Sequence, residues 1–544
     1  MFEKFRSLKN INMDDEKITI ENQNNGKVTA GSNLSYWIDS TEPIKFNPLQ
    51  ENLTTEIVIV GAGITGLSVA YSLLKAGKKV IVVEDGFVGS GETGRTTAHV
   101  VNALDDRYAE IERVLGEEKC RLAAESHSQA IDFIEQVVSE ENIDCDFRRV
   151  DGFLFLHPTD KPKTLEDEFV VTNKYGIATE KLQAVPGVPA EIGLCLKFPN
   201  QAQFHPMKYL KGLSECIHRM GGIIFTETHI KNIDKSGVKS EHFSIDAENI
   251  VVATNTPINN MVTMHTKQHP YRTYVIGGLM PKGNLQPALW WDTGNMKSEW
   301  VTDPYHYVRL QSYDNSHDLL ITGGEDHKTG QADEENISQE QRYKNLERWA
   351  RRHFPAMKEI VYHWSGQVME PVDMVAFIGK NPGDKNIYIA TGDSGNGMTH
   401  GTIAGILIRD LILGKENPWE KLYDPSRITL KATGDFLKEV GNMTAQYLDF
   451  FDPGDIKSLK ELERGHGAIV NMKGKKVAVY KDESQTLHAY SAICPHLGCV
   501  LQWNKDENSF DCPCHGSRFT CSGTVVNGPA VSDLKKIELT GEEE

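Results

Sequence analysis

Long apolar runs, a basic charge excess and widely scattered cysteine pairs are all missing from this sequence, and each absence removes a class of protein. The longest apolar stretch, Ile57 to Leu74, is broken by glycines and follows a strand, turn and helix pattern, so it does not read as a membrane-spanning helix. Met1 to Asn25 mixes both charge signs and lacks the apolar centre of an export signal. Together these features predict a cytoplasmic, soluble protein. The 58 Lys and Arg are outnumbered by 76 Asp and Glu, and a net charge of -18 disfavours nucleic acid and anionic membrane as partners. Cysteine is sparse at nine in 544 residues, yet Cys494, Cys499, Cys512, Cys514 and Cys521 crowd into the last tenth of the chain. Such crowding suits a metal site better than a disulfide framework. With 39% hydrophobic and 25% charged residues the chain is globular in kind, and its length predicts three or four units of roughly 150 residues each.

What is present begins with a dinucleotide fingerprint. Glu56 to Val60 reads as a buried parallel strand, Gly61-Ala62-Gly63-Ile64-Thr65-Gly66 follows, Leu67 to Lys75 has helical spacing stopped at Gly77, and a second strand, Lys79 to Val83, delivers Glu84. Gly61 allows the tight turn, Gly63 lets backbone approach a pyrophosphate at the helix start, Gly66 lets helix and strand pack closely, and Glu84 can accept ribose hydroxyls. NAD and FAD both use this arrangement. The segment Gly89 to His99 favours FAD, because its small hydroxyl-bearing residues, with Arg95, Thr96 and Thr97, suit a pyrophosphate and a flavin edge. Two later strands end in Ala-Thr, at Ala253-Thr254 and at Ala390-Thr391. The second runs through Gly392 and Gly395 into Gly397-Met398-Thr399 and an apolar helix, Ile403 to Leu413.

Gly61 to Glu84, His205-Pro206, Trp364 to Gly379 and Ala390 to Thr399 together resemble the D-amino-acid oxidase-like family of FAD-dependent oxidoreductases, over roughly Ser35 to Pro425. The resemblance implies that the glycine segment closes over the flavin and that the amides of Gly397, Met398 and Thr399 stabilise its reduced form. It also implies that the β-rich stretches 145–206 and 263–364, with short strand-like runs such as Gly152 to His157 and Leu319 to Gly323, form one mixed sheet over the flavin. Amino-acid oxidases of the family often place a carboxylate-clamping Arg shortly after Trp-x-Gly; here that position is Val368. Gln367, Glu370 and Asp373 stand nearby instead, which disfavours a plain α-amino acid and favours a neutral or cationic amine. Glu370 reads equally as a structural carboxylate. Arg309, in the strand-like segment Asp303 to Leu310, is the remaining anion-binding candidate, or else a packing residue.

Near the C-terminal end stand Cys494-Pro495-His496-Leu497-Gly498-Cys499 and Cys512-Pro513-Cys514-His515-Gly516-Ser517. Two cysteines and two histidines could hold zinc, but zinc-finger spacing groups like ligands together, whereas each loop here supplies one of each. The pattern resembles the Rieske family, over roughly Gly465 to Leu539. That resemblance implies a [2Fe-2S] cluster held by Cys494 and Cys512 on one iron and by His496 and His515 on the other, with Cys499 and Cys514 joined as a disulfide. It matches Ser517 to a hydroxyl that raises the cluster potential, and Gly528-Pro529-Ala530 to a covering third loop. Phe519 stands where high-potential members have Tyr, which predicts a potential below the top of the roughly -150 to +300 mV Rieske range. Cys521 reads as an ordinary cysteine.

The fold class expected is therefore an α/β Rossmann-like FAD domain with an inserted mixed β-sheet substrate domain (α+β), followed by an all-β Rieske domain. The boundaries expected are an extension at 1–54, a flavin unit at 55–425, a linker at 426–464 containing a helix over Phe436 to Phe450, and the Rieske domain at 465–544 with a solvated acidic tail. Within the flavin unit, 55–144, 207–262 and 365–425 bind FAD, and 145–206 and 263–364 face substrate. Fusing a two-electron flavin to a one-electron cluster predicts an enzyme that oxidises a small amine-type substrate and passes electrons to an external acceptor. Two other readings stay open: a reductase that delivers electrons to a protein partner, and a non-catalytic redox sensor. A Rieske oxygenase would need a 2-His-1-carboxylate iron site, for which no segment stands out.

Overall fold

The computed structural model describes residues 29–189, 192–259, 264–296, 305–331, 337–429, 446, 454–456 and 458–539. The segment Met1 to Asn25, Asp303 and Pro304, the expected helix over Phe436 to Phe450 apart from Gln446, and the acidic tail lie outside them.

Residues buried on both faces of a parallel sheet read as continuous apolar runs. β2 (Val80–Val83), β4 (Ile387–Thr391) and the carboxyl ends of β1 (Leu53–Val60) and β3 (Ser244–Val252) have this character, and the four lie side by side in the order β4-β3-β1-β2, all parallel. Ile223–Phe225 extends the sheet beyond β2, and Phe377–Lys380 closes the other edge as an antiparallel strand. α1 (Ile64–Lys75) follows β1, and α2 (Gly397–Ile412) follows β4 and packs on α1. Each strand expected from sequence is there. The last helix starts six residues earlier than expected, so that Gly397 is its first residue.

A second sheet of nine strands carries the expected insertion. Three long strands, Ile360–Pro371, Gln268–Pro281 and His317–Lys328, pair antiparallel, whereas Ala288–Asp292 and Arg148–Phe155 pair parallel, so the sheet is mixed. The boundary expected at 365 falls inside Ile360–Pro371, because one strand serves both the sheet and the cofactor side. The C-terminal part is all β. It has a three-stranded sheet (His466–Met472, Lys475–Lys481, Leu487–Ser491) and a four-stranded one (Gln502–Asn504, Ser509–Asp511, Arg518–Thr520, Val525–Asn527). Pairing with this part starts at Gly454, opposite Val470, eleven residues before the expected boundary at 465.

A buried charge network joins the C-terminal part to the rest. The Glu507 carboxylate meets Arg95 Nη1 at 3.1 Å with both side chains fully buried, accepts from Ser365 Oγ at 2.5 Å, and lies 4.0 Å from Arg272. Arg518 pairs with Asp511 at 3.0 Å and donates to the Ala30 carbonyl. Burial alone would raise the Glu507 pKa, but Arg95, Arg518 and Arg272 outweigh it and bring the carboxyl down to about 2. A carboxyl held below its unfolded value contributes stability above that value and loses it as pH falls, here between about 4.5 and 2. Glu507→Gln leaves three buried guanidiniums short of a counter-charge and is expected to cost roughly 3–5 kcal/mol, read as a lower denaturant midpoint of the full chain. An unchanged midpoint would contradict this account.

Candidate functional site

The carboxyl ends of the parallel strands open into one cavity of about 280 Å³. Gly61, at φ +106°, turns the chain out of β1, and a β-carbon there would come within 2.3 Å of the Ala253 carbonyl oxygen. Gly66 is tighter: its β-carbon would lie 1.9 Å from the Gly61 oxygen. Gly61, Gly63, Ile64, Glu84, Arg95, Thr96, Thr97, Ala253, Thr254, Gly395, Gly397 and Met398 all line the cavity. Ala62, Gly66, Gly392 and Thr399 do not line it: the Ala62 amide donates to Glu84 Oε2 at 2.6 Å, and Thr399 Oγ1 lies 2.8 Å from His127 Nδ1. Tight backbone turns beside a helix start and an acid at the end of the second strand are what a dinucleotide needs, so these residues fit FAD.

Arg309 takes the packing role, the second of its two expected readings, and Arg95 is divided between the cavity and a buried ion pair. Arg309 does not line the cavity. Its guanidinium donates to the carbonyls of Thr97, Ala98 and Phe204 at 3.2, 2.9 and 3.0 Å and to Gln311 Oε1 at 2.6 Å, and it stacks over Trp37. It clamps loops and is corrected here from anion-binding candidate to structural residue. Arg95 touches the cavity, but its charge is committed to Glu507.

Gln367, Val368 and Glu370 line the cavity from the strand Ile360–Pro371, so the position of the family's clamp presents an aliphatic side chain. Sequence reading missed Asp105 and Asp326, which join Glu370 on the cavity wall beside Tyr305 and Tyr307. Burial raises Asp105 to about 7, against a hydrogen bond from Tyr305, and raises Asp326 to about 6. Behind them, Ser394 Oγ lies 2.6 Å from Asp106 Oδ2 and 2.7 Å from Glu370 Oε2. A hydroxyl has one proton to donate, so both contacts are fully satisfied when one of the two carboxyls is protonated and donates to the serine. Burial raises both, Asp106 to about 6. Gly395, at φ +71°, brings backbone so close to Asp105 that a β-carbon would lie 2.2 Å from Oδ2.

In the C-terminal part the two loops meet. Cys494, His496, Cys512 and His515 are all buried, and the two imidazole rings stand 4.9 Å apart at 89°. Cys499 and Cys514 form a disulfide with a Cα–Cα distance of 6.4 Å, while Cys521 stands apart, half-buried. Turn hydrogen bonds set each loop: Gly498 N to the Cys494 oxygen at 3.0 Å, and Gly516 N to the Cys512 oxygen at 3.0 Å. Ser517 Oγ accepts from the Ala530 amide at 3.0 Å, which brings the third loop over the first two. His515 Nδ1 is buried without a hydrogen-bond partner, a cost of about 1–3 kcal/mol that an iron ligand bond would remove. The donor set fits a [2Fe-2S] cluster.

The cavity and the loops are in contact. Gln367 Nε2 donates to the Gly516 carbonyl at 3.1 Å, and the His265 ring packs edge-on against His496 and His515 at 4.7 and 5.7 Å. Among the described residues no helix is long and apolar enough to cross a membrane.

Comparison with known proteins agrees with this geometry. A family model described as FAD dependent oxidoreductase matches residues 56–411, and a Rieske [2Fe-2S] domain model matches 453–538. The second match removes the zinc alternative. A Bacillus subtilis (strain 168) protein named as a Rieske 2Fe-2S iron-sulfur protein, YhfW, is 33% identical over 93% of this chain and 97% of its own. The gamma-glutamylputrescine oxidoreductase of Escherichia coli (strain K12) is 26% identical over 71% of this chain and 90% of its own. The crystal structure of L-proline dehydrogenase from P. horikoshii shares the fold, with a TM-score of 0.57 at 20% identity over 69% of this chain and 98% of that one. The chain therefore belongs to the FAD-dependent oxidoreductases, as an enzyme that pairs FAD with the [2Fe-2S] cluster of a Rieske domain.

Proposed function

We propose that this enzyme oxidises a small amine-type substrate in the cavity and passes the electrons through its C-terminal domain to an external acceptor. FAD supplies hydride acceptance from a carbon next to nitrogen, and the cluster supplies one-electron transfer. In this reading the cavity-lining residues of the three glycine-rich segments hold FAD, and Cys494, His496, Cys512 and His515 hold the cluster. The observation that carries the proposal is Gln367: it faces the cavity and also donates to Gly516, the residue after His515, so a single side chain touches both centres.

The substrate class follows from charge. Asp105, Asp326 and Glu370 converge on the cavity, and no lysine lines it among the described residues. With Val368 at the clamp position and the lining Arg95 paired to Glu507, a substrate carboxylate meets no uncommitted arginine or lysine, whereas an ammonium has several acids. The relative named as a gamma-glutamylputrescine oxidoreductase agrees with an amine in this place.

The test is an anaerobic stopped-flow screen of polyamines, N-methylated amines, amino acids and NAD(P)H, following flavin bleaching and cluster reduction together. Bleaching by an amine before cluster reduction is expected. Rapid reduction by NAD(P)H with every amine inert would move the assignment to the reductase reading. The pH dependence is specific: Asp326 and Asp105, raised to about 6 and 7, are neutral below those values, so affinity for a diamine should rise as pH increases through 6 to 7. Asp105→Asn should flatten that rise and weaken binding roughly tenfold at pH 8, about 1.4 kcal/mol. An affinity that falls across this range in the parent would count against the acids as the binding groups.

A further inference from the structure

The four-stranded sheet of the C-terminal domain ends at Val525–Asn527, and the chain then turns through Gly528 and Pro529 to Val531. Val525, Val526, Asn527, Gly528, Ala530 and Val531 line the same cavity as Gly61, Glu84 and Thr254. Each end of the segment is tied to the flavin unit. Asn527 Nδ2 donates to Glu92 Oε1 at 3.1 Å, and His229 Nε2 lies 2.9 Å from the Val531 carbonyl oxygen. Between these ties Gly528 packs so closely on Ile258 that a β-carbon would come within 2.9 Å of Ile258 Cγ2. His229 contacts Asp85, the neighbour of Glu84, whereas Glu92 belongs to the hydroxyl-rich segment, so the strip is anchored beside the end of β2 and beside that segment.

We propose that Val525–Val531 is the outer wall of the FAD site, so that the dinucleotide is enclosed between the two domains and its escape requires the C-terminal domain to undock. This rests on the reading that Gly61 to Glu84 binds FAD. The glycine turn offers amides to a diphosphate, and the strip, apart from Asn527, adds apolar residues to the wall of the same cavity. A ligand walled on both sides loses contact with solvent along its length, and a carboxylate placed in the apolar wall would confront the diphosphate with a like charge. The same loop region covers the cluster through the Ala530–Ser517 hydrogen bond, so one segment closes both cofactor sites.

The test compares full-length Val526→Asp and Val526→Asn, which are nearly equal in size and differ in charge. FAD affinity is read from the recovery of free-flavin fluorescence and cluster integrity from the electron paramagnetic resonance of the reduced protein. The Asp variant is expected to bind FAD at least tenfold more weakly than the Asn variant, with the cluster signal intact in both. Equal affinities in Asp, Asn and parent would overturn the proposal. If Val526→Asp shows no cluster signal, Asn527→Ala decides: flavin release at least fivefold faster than the parent supports the wall, and release at the parent rate overturns it. A parent chain that takes up no FAD would instead remove the nucleotide-site reading beneath the proposal.

Discussion

Gly66→Val is expected to give a protein that carries its [2Fe-2S] cluster and no flavin. The nearest atoms to a β-carbon at Gly66 are the Gly61 oxygen at 1.9 Å and the Gly61 carbonyl carbon at 3.0 Å, both main chain. Neither can rotate aside, so the valine must push α1 away from the turn after β1. The amides that would face the diphosphate move with it. Gly63 is a softer position, since its nearest neighbour is Thr93 Oγ1, a side-chain atom at 2.9 Å. At Gly66 the loss should exceed 100-fold in FAD affinity, about 2.7 kcal/mol. The flavin-to-protein ratio of the purified variant measures it, with the cluster spectrum as an internal control. Full flavin occupancy would refute the role given to this turn.

The second large effect concerns His515. Replacing it with Cys should leave FAD in place and either remove the cluster or move its potential toward the roughly -400 mV of all-cysteine plant-type ferredoxins. Flavin bleaching by substrate should survive, because the cavity residues are untouched, while onward transfer to a one-electron acceptor should fall at least 100-fold. The spectrum and the acceptor rate are separate readouts, so a misfolded domain is distinguishable from a retuned one. An unchanged cluster spectrum would sink the assignment of His515 as a ligand.

Much of this was legible in the sequence wherever the chemistry is local. The turn from Gly61 to Gly66, the acid at Glu84 and the two Cys-x-His and Cys-x-Cys-His loops each sit within a few residues of one another, and short-range spacing carries their meaning. The arginines were not legible. Arg309 finds its acceptors on Thr97, Ala98 and Phe204, and Arg95 finds Glu507, 412 residues away, so no window of sequence shows that either charge is already spent. Asp105 and Asp326 were hidden for a related reason: they meet only when the mixed sheet lays its strands across the cavity. The boundary expected near 365 lies within one strand, because hydrogen bonding, not composition, decides where a strand stops. The wall formed by Val525–Val531 left no local signal, since an apolar strand end looks the same whether it faces its own core or a neighbour's ligand.

The separation between Arg95 and Glu507 also constrains how the molecule is made. A ribosome adding about 5–20 residues per second needs roughly 20–80 s to cover those 412 residues. Throughout that interval Glu92 is the acid already made beside Arg95 and, once it is added, Arg272, while Glu507 is still missing from the network. The full set of counter-charges on that face is therefore present only when the last part of the chain emerges. Completion of this ion-pair network is then a late event in biosynthesis, and the arrival of Glu507 is what brings it about.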